Sequence, residues 1–165
     1  MNHIARPSAA KLPRTYYTGN LTGELQETVD RAAAEWNAIY PCFKKVLTPE
    51  ADVAFVMDVR TWVEMPSSTN PRSVVHVGQD VDLRYWMAHE LGHTLGFADH
   101  LPDGYPTDGY INPGTSVENY EGVMLYGVGR QQWFGLHDKQ MLARAYPLKR
   151  RLHIPFLSHS RGGSA

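Results

Sequence analysis

A single cysteine, Cys42, occurs in 165 residues. No disulfide can form within the chain, so a cystine-stapled scaffold and a multi-cysteine zinc site are both excluded. Any metal must be held by histidines and carboxylates. No run approaches the roughly 18 consecutive apolar residues of a membrane-spanning helix, and no span is expected. Residues Met1 to Arg14 carry charge without the apolar stretch of an export signal, so no signal peptide is expected in this sequence. Internal repeats and low-complexity segments are also missing, which excludes solenoid architectures.

What is present is the composition of a folded protein: 42% hydrophobic, 11% aromatic and 20% charged residues, far from the regime of disorder. The length suits one domain. The net charge of −1 conceals an uneven distribution. Residues 147–165 hold four basic and no acidic residues, and Arg6, Lys11 and Arg14 are unopposed before residue 15, leaving 9 basic against 17 acidic residues between, a balance of −8. An acidic body repels phosphate backbones, so nucleic acid is not an expected partner. The basic tail reads as a solvated extension. The expected organisation is an N-terminal extension at 1–13, one catalytic domain at 14–146 and the tail at 147–165.

Arg14 to Thr18 is short, aromatic and β-prone, and it ends at the turn signal Gly19-Asn20. Leu25, Val29, Ala32, Ala33, Trp36 and Ile39 then recur at helical spacing until Pro41, predicting a long amphipathic helix. Lys45 to Leu47 and Asp52 to Val59 read as strands, Pro66 to Pro71 as a loop, and Val74 to Val77 as a further strand. This last strand is either the sheet edge beside a cleft, where an extended peptide could add, or an interior strand. A helix follows with Asp82 as its N-cap. Leu101 to Gly129, rich in Gly, Pro, Asn and Tyr, is expected to be irregular, and His137 to Tyr146 reads as a final helix stopped by Pro147.

The second helix contains His89-Glu90-Leu91-Gly92-His93, an H-E-x-x-H sequence. Residues four apart share one helical face, about 5 to 6 Å apart at Cβ, so two imidazoles can grip one ion. Glu90 cannot sit beside both as a ligand, but its carboxylate can reach a water held by the metal, the place of a general base. Chance alone produces this five-residue match in such a chain with a probability of roughly 0.02, and requiring Gly96 and Asp99 at their positions lowers it to roughly one in ten thousand.

The glycine has a physical task. Were the helix to continue, Asp99 would lie about 9 Å further along the axis than His93 and point elsewhere. Glycine takes a left-handed conformation without steric cost, so Gly96 can reverse the chain and present Asp99 to the ion held by His89 and His93. Two histidines and one carboxylate leave a fourth position open, as in a catalytic zinc site. His100, adjacent to Asp99, is the alternative third ligand.

The segment His89 to Asp99 resembles the metzincin clan of zinc peptidases, whose motif is H-E-x-x-H-x-x-G-x-x-(H or D), and its aspartate form is similar to that of the snapalysin family. The Tyr16-Tyr17 strand, Trp36-Asn37 in the first helix and the Asp99-His100 pair extend the likeness over roughly Arg14 to Tyr146. The resemblance implies an α+β fold: a small twisted mixed sheet, a long backing helix, an active-site helix, and an irregular C-terminal subdomain ending in a helix. It also implies a methionine turn beneath the metal, matched by Val123 to Gly127 with Met124 as the hydrophobic floor. Tyr126 stands where astacin-like and serralysin-like members have a tyrosine that contacts zinc or the oxyanion. An extracellular address is what the likeness favours.

The expected function is that of a monomeric endopeptidase with one catalytic zinc, acting on protein or peptide. The ion would be held by His89, His93 and Asp99, with Glu90 as general base and Tyr126 as a further catalytic group. Asp103 and Asp108 offer a possible calcium site. The alternatives are a non-catalytic zinc-binding peptide-recognition module and a zinc amidohydrolase acting on a non-protein amide.

Overall fold

The computed structural model describes residues 11–79, 83–97, 99, 122–124 and 134–146. Arg14–Tyr16 forms β1, Gly23–Ile39 α1, Phe43–Lys45 β2, Val53–Met57 β3, Trp62–Glu64 β4, Ser73–Val77 β5, Leu83–Thr94 α2 and Leu136–Ala145 α3. The expected extension is described only from Lys11. Asp82 and the 147–165 tail lie outside the described residues.

The five strands make one mixed sheet in the order β2-β1-β3-β5-β4, parallel throughout except for β4, which runs antiparallel to β5. Alternation places Arg14, Tyr16, Val53, Phe55, Val75 and Val77 on the buried face. That face meets α1 through Val29, Ala32, Ala33 and Trp36, all buried, as the helical spacing requires. Pro41 ends α1, and Asn37 closes the turn that follows. Its Oδ1 accepts from the N–H groups of Cys42 (2.9 Å) and Phe43 (2.8 Å), while its Nδ2 donates to the Phe43 carbonyl (3.0 Å).

Two long side chains tie α2 to this frame. Trp36 Nε1 donates to the Ala88 carbonyl on α2 at 2.8 Å, and its ring stacks on Phe97 and meets Phe134 edge-on. The buried Arg14 guanidinium donates to Ser73 Oγ on β5 (3.1 Å), to the Asp52 carbonyl (3.0 Å) and to the Thr94 carbonyl at the end of α2. Fixed dipoles around a buried charge offset the cost of removing it from water.

One strand expectation needs correction, one open alternative is settled, and one strand had no expectation. β2 lies at Phe43–Lys45 rather than Lys45 to Leu47, because Asn37 fixes the chain at Phe43 and parallel pairing with β1 sets the register, leaving Leu47 92% exposed. The strand Val74 to Val77 is interior, flanked by β3 and β4. The edge beside it is β4, three residues with no legible alternation, which exists only through pairing with β5.

Candidate active site

α2 shows almost no one-sided apolar stripe because it lies inside the protein: Tyr85, Met87, Ala88, His89, Glu90, Leu91, Gly92 and Thr94 are all buried. Where α2 meets the cleft, its polar groups are His89, Glu90 and His93. One nitrogen or oxygen from each lies within 4.8 Å of the others, a grouping that could hold a metal ion.

The helix ends as Gly96 predicts. Gly96 takes φ 91°, its N–H reaches the His93 carbonyl at 2.7 Å, and the Phe97 N–H reaches the Gly92 carbonyl at 3.2 Å. This is the paired hydrogen-bond pattern of a left-handed glycine cap. The reversal brings Asp99 back over the helix, with Oδ1 at 2.8 Å from His89 Nε2 and 3.0 Å from His93 Nε2. Glu90 stands further off, its Oε2 at 4.0 Å from His93 Nε2.

Each imidazole is oriented from behind. His89 Nδ1 lies 2.8 Å from the Val123 carbonyl, and His93 Nδ1 lies 2.8 Å from the Phe97 carbonyl. A carbonyl oxygen only accepts, so Nδ1 of each ring carries a hydrogen and Nε2 is the atom left facing Asp99, a donor to its carboxylate when protonated and a metal ligand when not. Two such nitrogens, each within about 3 Å of one carboxylate oxygen, match the donor set of a zinc site. Burial by itself would raise the Asp99 carboxyl, but hydrogen bonds from both histidines and their charge outweigh it and hold it well below the usual carboxylate range. Burial likewise lowers His93, and the carboxylates of Asp99 and Glu90 reverse this to a net rise.

Met124 is fully buried beneath α2 and lies against Gly92. The carbonyl that orients His89 belongs to Val123, whose N–H is held by the Asp138 carboxylate of α3 at 3.1 and 3.2 Å. Asp138 also accepts from the Gly135 N–H at 2.8 Å. Desolvation pushes this carboxyl up to about 7, against the lowering effect of those backbone donors. Spacing from the H-E-x-x-H sequence could not reveal Asp138. Its one legible signal is an acidic residue at the third position of a helix.

The cleft above the histidines has a volume of about 380 Å³ and is walled by Arg60 to Val63, Trp86 and Asp99. The sequence pattern missed the 60–63 wall. Tyr126, His100, Asp103 and Asp108 lie outside the described residues.

No protein-family model matches the sequence, and no curated protein matches it. Solved structures do. A hatching enzyme zinc-protease of the medaka fish Oryzias latipes, high choriolytic enzyme 1, aligns with TM-score 0.59 and 14% identity over 80% of this chain and 88% of its own. Two structures of myroilysin align with TM-score 0.58 and 18% identity, one over 81% of this chain and 82% of its own, the other over 86% and 94%. With a five-stranded, mostly parallel sheet and the same arrangement over four-fifths of its length, the chain has a metzincin-like fold.

Proposed function

We propose that the protein is a zinc-dependent endopeptidase in which His89, His93 and Asp99 hold the ion and Glu90 is the general base. One observation carries this reading: both imidazoles are anchored at Nδ1 by backbone carbonyls, and their Nε2 atoms converge on a single Asp99 oxygen. Packed histidines without a ligand role have no need for a carboxylate returned across a glycine cap. Ligand atoms about 2.0 to 2.2 Å from one ion lie roughly 3.4 Å apart in a tetrahedral set. Asp99 meets that spacing with little movement, while Glu90 stands back in the position of a base. The aspartate at this place supports the likeness to the snapalysin family.

Zinc, when bound, polarises the scissile carbonyl and makes water acidic enough to be deprotonated near neutral pH. Glu90, 6% exposed and opening on the cleft, takes the proton of the attacking water and delivers it to the leaving amine. Val123 and Phe97 hold the two imidazoles in the correct tautomer throughout. Tyr126, two residues after Met124, is assigned to zinc or the oxyanion by the likeness to astacin-like and serralysin-like members. The substrate is an extended peptide added to the outer edge of β4, the last strand of the sheet, through backbone hydrogen bonds.

The Glu90→Gln variant tests the assignment. It is expected to retain one zinc per chain by metal analysis and to lose peptide hydrolysis by a factor of about 10² to 10⁴. Hydrolysis at the wild-type rate by this variant would remove Glu90 from its role.

A further inference from the structure

The connection between β3 and β4 is tied to β5 and to Gly78 just after it by hydrogen bonds and a ring stack. The Asp58 N–H donates to the Val77 carbonyl at 3.0 Å. The Asp58 carboxylate sits 2.7 Å from His76 Nδ1 and accepts from Trp62 Nε1 at 3.3 Å. The Trp62 ring stacks on His76 with 3.8 Å between centroids. The Gly78 N–H donates to Thr61 Oγ1 at 3.0 Å. Gly78 also has to lack a side chain here: a Cβ would strike the Arg60 backbone and lie 2.7 Å from Thr61 N.

This clasp delivers Arg60 to the wall of the cleft that holds Glu90 and Asp99, at the end of the strand where the substrate is read to add. Arg60 has no hydrogen-bond or ion-pair partner among the described residues. It is also the one arginine or lysine among the described residues that line the cleft. Preorganised backbone beneath an uncompensated guanidinium is the arrangement that gains most from a planar, two-oxygen anion.

We propose that Arg60 is a specificity-determining residue that binds a carboxylate of the peptide substrate, supplied by an acidic side chain or by a free C-terminus. The proposal rests on the peptidase reading above. The acidic balance of the body does not oppose it. Arg60 is exposed on the cleft wall; charges more than about 8 Å away are screened at physiological salt, while a carboxylate in direct contact with it lies well inside that distance. Of the carboxylates in the cleft, Asp99 is engaged by both histidines.

The test uses the zinc-loaded protein and a peptide of fixed sequence in which Glu replaces Gln at each position in turn, every member made with a free acid and with an amidated C-terminus. The wild type is expected to cleave at least one Glu or free-acid peptide about tenfold better in kcat/KM than its amide counterpart, the size of one charged hydrogen-bonded contact. Arg60→Gln should erase that preference, and Arg60→Glu should turn it toward Lys at the same position. A preference that follows the Glu position identifies a side-chain carboxylate, and one that follows the free acid identifies the terminus. Binding of the same peptides to Glu90→Gln and to the Glu90→Gln/Arg60→Gln double variant, by fluorescence anisotropy, reads the contact without turnover. Absence of cleavage with a retained, Arg60-dependent binding preference would overturn the peptidase reading and leave the carboxylate site standing. Equal treatment of carboxylate and amide by the wild type, or a preference that survives Arg60→Gln, overturns the proposal.

Discussion

Met124 occupies the space that a side chain at Gly92 would need. A Cβ built on Gly92 would collide with the Met124 thioether and lie 2.9 Å from Trp36 Cζ2. The helix that carries both histidines therefore rests on the methionine at its one residue without a side chain, and sits deeper than any larger residue would allow. Close backbone approach of this kind is a packing constraint, since a Cβ would have to displace a fully buried thioether and a ring held by its bond to Ala88.

Gly92→Ala should accordingly destabilise the fold by about 1 to 3 kcal/mol, the usual cost of overpacking. Urea unfolding measures it. Adding Met124→Ala should recover part of the loss, because the two sites share one volume and their effects do not add. Strict additivity would show that the two residues do not compete for space.

Asp99→Ala removes the carboxylate on which both Nε2 atoms converge. Metal affinity is expected to fall by more than the roughly 10- to 100-fold typical of losing a group that only orients a ligand. Competition with a chromophoric chelator gives the number, and an unchanged affinity would shift the third-ligand role to another residue.

Asp138 predicts a pH dependence of stability. Its folded-state pKa is raised to about 7 by burial, so between about pH 4 and 7 the folded protein keeps a proton that the unfolded chain has released. The contribution of this group is therefore fully present below about pH 4 and is lost as the pH rises toward 7, by on the order of a few kcal/mol. Asp138→Asn should flatten this part of the profile, as followed by thermal unfolding across pH 4 to 8. An identical slope in the variant would assign the dependence to other groups.

Cys42 is fully buried, and desolvation pushes its thiol up to about 12. The thiolate is the reactive form, so a chromogenic disulfide reagent at pH 8 should label the native protein only on the timescale of unfolding. Rapid stoichiometric labelling would place the residue at the surface.

The parts of this molecule that could be read in one dimension are those whose physics is local. A four-residue spacing puts His89 and His93 on one helical face, Gly96 reverses the chain within three residues, and the apolar period of α1 with Pro41 beyond it marks that helix to within a residue or two. The apolar runs in Asp52 to Val59 and Val74 to Val77 were equally legible as strands, found at Val53–Met57 and Ser73–Val77.

Long-range pairing decided the rest. β4 is a strand only because β5 lies beside it, and that same pairing moves Val74 to Val77 from a possible edge to the interior. The carbonyl that orients His89 comes from 34 residues away, Asp138 supports it from 15 further on, and Arg60 reaches the cleft because Gly78 and His76 hold its turn. A donor set within one helix and its cap depends on backbone geometry that each residue type dictates nearby. The supports and walls around it depend on which distant segments come into contact, a property of the closed, packed chain that no short window of residues contains.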